Sequence, residues 1–373
     1  MKAKKLFSIC MVFIFSILLT GCFDYNDINK LSFATSTIFD EDDSGNIVIY
    51  VDCVKSYRSA NESSDKGRRI IYRGTGKTTS EALKDVNLAS SYELNYSQNR
   101  AYIFTEKASK KGIEKHLNLI NNNQEFQIKP DIFIYFGNVD DLLKVTSNDE
   151  EHLGLYLEDL VHRNKRNPKA IRANISDYFN NTMNEEDIYI VGNINIRKDA
   201  LDDKIEIGGG SIMKNNALVE RINGNEAMNY NLLMKEITSG TIEFKNPQGG
   251  DGYVVLQILG SDVKTNLRKE EGKNILIKKI DIKASIAETQ EKLLINKEVV
   301  KEIKELNQTK IEEELLETFN NYKSKGLDIF QGKRMLEMNY ENNIQDNYLE
   351  NIELDVKVDL IIEGTSLIKD SLW

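Results

Sequence analysis

Hydrophobic and polar positions alternate most regularly near the C-terminus. There Ile352, Leu354, Val356, Val358, Leu360 and Ile362 are separated by Glu353, Asp355, Lys357, Asp359 and Ile361. A period of two predicts a strand with one core face and one mostly solvated face. Ile47, Ile49, Val51 and Cys53 follow the same period. With Ile38 and Phe39 they predict a hairpin around the acidic run from Glu41 to Asn46. Further strands are expected over 70–72, 100–104, 128–136, 188–196, 253–258 and 275–286. In the last of these Ile280, Ile282, Ala284 and Ile286 share a face. Residues 205–219 read as a turn-rich meander.

Other stretches change to steps of three and four. Thr78-Thr79-Ser80-Glu81 has the spacing of a capping box. It predicts a helix over 79–91 that buries Ala82, Val86 and Ala89. Helices are also expected over 108–119, after Asn138, and over 154–161, 175–180 and 226–235. Val299, Ile303, Leu306, Ile311, Leu315, Phe319 and Tyr322 predict one long amphipathic helix or two shorter ones. Gly326 suits the stop, with Leu327 supplying the contact after the cap. Residues 58–69 are polar enough for a surface loop. The fold class is α+β: multidomain, with mixed sheets, packed helices and a long amphipathic helical region before a C-terminal strand. A charged turn at 198–204 divides the chain into 22–200 and 201–373, and three structural domains overall fit its length.

The 373 residues are 40% hydrophobic and 29% charged, with mean hydropathy −0.45, which excludes a body made mainly of membrane spans. The net charge of −10 disfavours nucleic acid as a partner, because phosphate backbones require a basic footprint.

The N-terminus departs from this pattern. Lys2, Lys4 and Lys5 precede an apolar run over 6–19 broken only by Ser8 and Ser16. At 1.5 Å per residue the run spans about 21 Å, short of the ~30 Å hydrocarbon core. It therefore reads as a signal peptide, residues 1–21, in preference to an uncleaved anchor. Leu19-Thr20-Gly21-Cys22 resembles the lipobox of bacterial lipoproteins. The resemblance implies cleavage before Cys22 and a diacylglyceryl thioether on its sulfur. Two inserted acyl chains contribute on the order of 20 kcal/mol of gross transfer energy, enough for stable anchoring at a membrane.

Little else carries reactive chemistry. Cys10 leaves with the leader and Cys22 is blocked by lipid, so Cys53 has no disulfide partner and reads as a buried structural thiol. Glu158 and His162 stand four apart, yet no HExxH or paired-cysteine spacing supports a metal. His116, beside Glu114 and Lys115, is expected at the surface. The runs at 208–210 and 249–252 are glycine-rich but lead into strands, so they read as turns or bulges in preference to a phosphate cradle. Ser211 lacks the GxSxG elbow, and no histidine follows His162. Arg68, Arg69, Arg73, Lys107, Lys110 and Lys111 can meet anionic headgroups, although ordinary solvation accounts for them. No catalytic, cofactor or metal residue is assigned.

Taken in order, several segments resemble the Ger(x)C family of spore germination lipoproteins, the C subunits of nutrient germinant receptors. The run Phe23-Asp24-Tyr25-Asn26-Asp27-Ile28-Asn29 retains Asp24, Ile28 and Asn29 of the family's segment after the lipidated cysteine. Gly74-Thr75-Gly76 with Ser80-Glu81-Ala82-Leu83 is similar to its Gly-x-Gly and helix start. Residues 108–113 resemble the helix after its next strand, and 210–219 its Ala-Val-Phe-Lys segment. Gly326-Leu327-Asp328-Ile329-Phe330 matches its Gly-x-Asp-Ile-Phe signature, with Gln331 where glycine is usual. The resemblance implies a non-enzymatic body of mixed domains, without cofactor, lipid-anchored at Cys22 to the outer face of the spore inner membrane. It also implies integral-membrane A and B receptor subunits as partners, in receptor assembly or signalling during germination. A solute-binding lipoprotein of an ABC-type uptake transporter is the rival reading; it calls for repeated βα units in two lobes around a cleft.

Overall fold

The computed structural model describes residues 30–55, 69–145, 151–163, 167–183, 188–235, 237–340, 344 and 347–365. The expected leader, Cys22, the 23–29 run and the polar stretch 58–68 lie outside these residues.

The first sheet starts with the expected hairpin. β1 (Leu31–Glu41) and β2 (Ile47–Lys55) pair antiparallel. In their turn, Asp42 Oδ1 accepts hydrogen bonds from the amides of Ser44 at 2.9 Å and Asn46 at 2.8 Å, so the aspartate holds the reversal closed. β3 (Arg69–Gly76) continues antiparallel beyond β2. β4 (Glu93–Asn95) pairs with the start of β1. On the other side of β1 lie β5 (Ala101–Thr105), β6 (Asp131–Tyr135) and β7 (Ile188–Arg197), all parallel. β8 (Lys204–Lys214) and β9 (Ala217–Ile222) then close the order antiparallel. The order is β3-β2-β1-β5-β6-β7-β8-β9, with β4 to one side. The division expected near residue 200 falls in the connection between β7 and β8, which pair with each other.

Helices cover both faces of this sheet. α1 (Thr79–Ala89), α2 (Glu106–Lys110), α3 (Glu114–Asn122), α4 (Val139–Lys144), α5 (Leu153–Arg163) and α6 (Ile175–Met183) connect its strands. Tyr102, Phe104, Ile132 and Ile134 point into one core with α1 and α3, while Ala101, Ile103, Phe133 and Tyr135 point into another with α4 and α5. Burial on both sides explains why every residue of β5 is buried, where a half-exposed strand would alternate.

Three local expectations change. The helix over 108–119 is two helices, α2 and α3, separated at Gly112, whose φ of 100° cannot continue a right-handed helix. The meander over 205–219 is largely one strand, β8, with a bulge at Gly209 (φ 71°), joined to β9 by an Asn215-Asn216 turn with φ 50° and 64°. Two consecutive positive φ values match the twist of a tight hairpin. Finally, Leu83 faces the core from α1 while Ala89 is exposed.

The second sheet has the order β10-β11-β12-β13. β10 (Thr241–Lys245), β11 (Tyr253–Glu270) and β12 (Lys273–Thr289) are antiparallel neighbours, and β13 (Ile352–Thr365) runs parallel to β12. β11 and β12 extend well beyond the apolar stretches that announced them. Their distal halves are held by the ladder between them and a turn at Glu271-Gly272 (φ 48° and 83°). The sheet packs under α7 (Gly224–Met234), α8 (Lys297–Ser324) and α9 (Gly332–Tyr340). The long amphipathic pattern is a single helix, α8, burying Val299, Ile303, Ile311, Leu315, Phe319 and Tyr322. Ile171, Ile212 and Ile222 from the first sheet's side join this core, so the two sheets share apolar packing around α7. The α+β class holds. The second sheet is a strand ribbon with one long helix, unlike the two βα lobes of the rival reading.

Candidate functional site

The end of α8 is built by the glycine signature. The Gly326 amide donates to the Lys323 carbonyl at 2.9 Å, and the Leu327 amide to the Tyr322 carbonyl at 3.0 Å. Gly326 has φ 68°, and Leu327 is 6% exposed. These are the two bonds, the left-handed residue and the apolar contact of a Schellman cap. Asp328 then starts the next helix. Its carboxylate accepts from the Gly332 amide at 2.8 Å, the Lys333 amide at 2.7 Å and the Tyr348 hydroxyl at 3.0 Å. Phe330 anchors the turn against Phe319 (ring centroids 5.4 Å) and Tyr230 (6.2 Å). Gln331 adopts φ 61°, which explains in backbone terms why glycine suits that position.

This turn forms one wall of a cleft of about 910 Å³. The opposite wall comes from β7, β8 and the segment entering α6, with Ile188, Ile190, Lys214 and Arg172; α7 contributes Tyr230 and Lys235 follows its end. The cleft therefore lies at the junction of the two sheets. Its walls carry six cationic and four acidic side chains, although the whole chain is net negative. Lys214 Nζ donates to the Gly326 carbonyl at 3.2 Å and Lys323 Nζ to the Ile352 carbonyl at 2.7 Å. Both hydrogen-bond partners are neutral, and Lys323 also lies within the field of the Glu353 carboxylate.

Lys278 lies in the core near this wall. It is in phase with Leu276 and Ile280 on β12 and is 3% exposed, with Nζ 3.7 Å from Met234 Sδ. Burial pushes its ammonium down to about 8, with the Asp328 carboxylate opposing. The period-two register of β12, extended backwards from Ile280, was the signal for an inward lysine. No comparable pattern marked Arg172 or Lys235.

The other candidates have structural settings. Ser211 is buried and donates to Asn193 Oδ1 at 2.5 Å, away from any histidine. Cys53 is fully buried, and burial pushes its thiol up to about 12, so it carries no thiolate at neutral pH. Glu158 pairs with Arg100 at 3.4 Å. No group of three or more His, Cys, Asp or Glu side chains among the described residues can hold a metal ion. The glycines at 249–252 form the turn between β10 and β11. Arg69 bridges Asp52 Oδ1 at 3.0 Å and the Leu143 carbonyl at 3.0 Å, Lys107 pairs with Asp43 at 2.7 Å, and Lys111 pairs with Glu41. His116 is a correction. It is 1% exposed, 2.9 Å from Thr79 Oγ1, and packed against Phe39 and Phe104. The charged neighbours in sequence face solvent while the imidazole turns inward.

These elements define an α+β protein with a junction cleft and a glycine-capped signature turn. Residues 24–192 match the family pattern described as the spore germination protein N-terminal domain, and residues 208–366 the pattern described as spore germination B3/GerAC like, C-terminal. The chain belongs to the Ger(x)C family of germinant receptor C subunits. It is 24% identical over 324 residues to spore germination protein GerQC of Bacillus cereus, covering 84% of this chain and 86% of that one. It is 23% identical over 275 residues to spore germination protein A3 of Bacillus subtilis (strain 168), covering 72% and 70%. Its fold is similar to the crystal structure of the GerBC protein, with TM-score 0.53 and 14% identity over 90% of this chain and all of that one. Among the described residues no helix is long and apolar enough to cross a membrane.

Proposed function

We propose that this chain is a lipid-anchored, non-enzymatic C subunit of a spore nutrient germinant receptor, held at the outer face of the spore inner membrane. It works beside integral-membrane A and B subunits in receptor assembly or signalling. The observation that carries this reading is the pair of family matches that together span most of the chain. The basic, apolar and Leu19-Thr20-Gly21-Cys22 succession supports attachment through Cys22. On this reading 1–21 is removed, and the modules 22–200 and 201–373 form the mature protein. Cys22 precedes Leu31, the first residue of β1, by nine positions, so the tether reaches at most about 30 Å. The folded body must then stay close to the bilayer, where neighbouring receptor subunits are within reach.

The test is mass spectrometry of the mature N-terminus with Cys22→Ala as control. The expected result is a diacylated Cys22 in the parent and an unprocessed, lipid-free precursor in the variant. An intact leader or a bare thiol in the parent, or normal membrane retention of the variant, would remove the lipid anchor from the account.

A further inference from the structure

The junction cleft carries more cationic than acidic side chains. Arg172, Lys214, Lys235 and Lys323 make no ion pair among the described residues, although surface lysines elsewhere pair repeatedly with Asp or Glu. Arg172 Nε is buried without a hydrogen-bond partner. An orphaned guanidinium nitrogen costs free energy unless something accepts from it. Three of the four acidic groups of the cleft are already engaged. Asp328 accepts from two amides and Tyr348, Asp177 accepts from the Asn174 amide at 3.0 Å, and Glu337 pairs with Lys333 at 3.9 Å. Arg172 and Lys235 are near enough to repel one another, and Asp177 offsets part of this. Asp131 also lies within the field of Arg172 and Asp177, so the two cations face two carboxylates, and this local balance admits a monoanion far more readily than a phosphate dianion. Beside them Ile188, Ile190, Ile329 and Tyr230 offer an apolar surface. A volume of about 910 Å³ lies within the usual range for small-molecule sites, and the junction of two packed units is a common location for them.

We infer that this cleft is a binding site for a small organic monocarboxylate, its carboxylate seated on Arg172 and Lys235 and its apolar part against Tyr230 and the isoleucines. Arg172 supplies the planar fork that a carboxylate accepts from bidentately. Lys278, buried beside Met234 and within the field of Asp328, adds a positive charge behind the turn that carries Asp328. This site is independent of the lipid anchor and of the receptor-subunit reading.

The experiment uses the full chain in a non-ionic detergent at low salt, with isothermal titration of phenylacetate, phenylacetamide and inorganic phosphate. Phenylacetate should bind saturably and at least about tenfold more tightly than the isosteric amide, the ratio expected for a lost charged hydrogen bond. Arg172→Gln and Lys235→Gln should each weaken phenylacetate by about the same factor, while Arg172→Lys retains a larger share and Lys107→Gln, outside the cleft, changes nothing. Thermal unfolding of each variant separates lost binding from lost folding. Equal binding of acid and amide, an equal loss in Lys107→Gln, or no saturable binding of phenylacetate would overturn the site. Tighter binding of phosphate would overturn the carboxylate assignment. Binding of a hexaglutamate peptide in its absence would instead make the cleft a contact for an acidic protein segment.

Discussion

His116 shows how a single side chain turns burial into pH dependence. Burial, reinforced by Lys115, pushes its pKa down from 6.5 to about 3, so the folded protein holds it neutral. Below pH 6.5 the unfolded chain binds a proton that the native one refuses. Stability contributed by the neutral ring is therefore complete above pH 6.5 and is lost as pH falls towards 3, at up to about 1.4 kcal/mol per pH unit. Urea unfolding across this range should show a shallower acid limb for His116→Gln; an unchanged limb would contradict the assignment. Lys278 acts at the opposite end of the scale. Its pKa is depressed, so the unfolded chain binds more protons between about pH 8 and 10.5, and stability should rise with pH there by on the order of 3 kcal/mol. Lys278→Met should flatten that rise and raise stability at pH 7, because a buried charge is replaced by an apolar chain of similar length. Gln331 carries backbone strain at φ 61°. Gln331→Gly should stabilise by about 0.5–1 kcal/mol in the same assay, since glycine meets no Cβ penalty there. The sequence marked Gln331 as the odd member of its motif but gave no cue that His116 turns inward, because helical spacing near 116 is dominated by Glu114, Lys115 and Asn118.

At the scale of elements, close approach explains the Gly-x-Gly signature. A Cβ on Gly74 would lie 2.2 Å from the Ala82 carbonyl oxygen, and one on Gly76 would lie 2.6 Å from the Ala82 amide nitrogen. Both neighbours are backbone of α1, so neither can swing away. Gly74→Ala should displace α1 from β3 and cost about 3 kcal/mol or more in equilibrium unfolding; a loss under about 1 kcal/mol would show that the helix docks without that contact. The cap of α1 was also legible: Thr78 Oγ1 accepts from the Glu81 amide at 3.1 Å. Glu81 reaches back one residue further than the spacing suggested, to the Lys77 amide at 2.8 Å. β13 and α8 were readable because one face of each is apolar over many residues. β10 and the distal half of β11 were not, because Thr241–Lys245 is short and residues 261–270 carry only Val263 and Leu267 as apolar positions. There the partner strand determines the structure, and local composition carries no such information.

For the whole molecule, the arrangement joins a mixed, doubly covered sheet to a strand ribbon through α7 and the shared core. The sequence conveyed the class through pattern, while the junction cleft required distant segments, Arg172, Lys235 and the 326–331 turn, to meet. Within the receptor-subunit account, a short tether from Cys22 keeps the start of β1 within about 30 Å of the membrane and its integral partners. The direct measurement is detergent co-purification from spores through a tag on this chain. The account predicts recovery together with two integral-membrane receptor subunits, and loss of that recovery when Cys22→Ala prevents anchoring. Purification of the chain alone from intact membranes, or with the permease of an uptake transporter in place of those subunits, would contradict it.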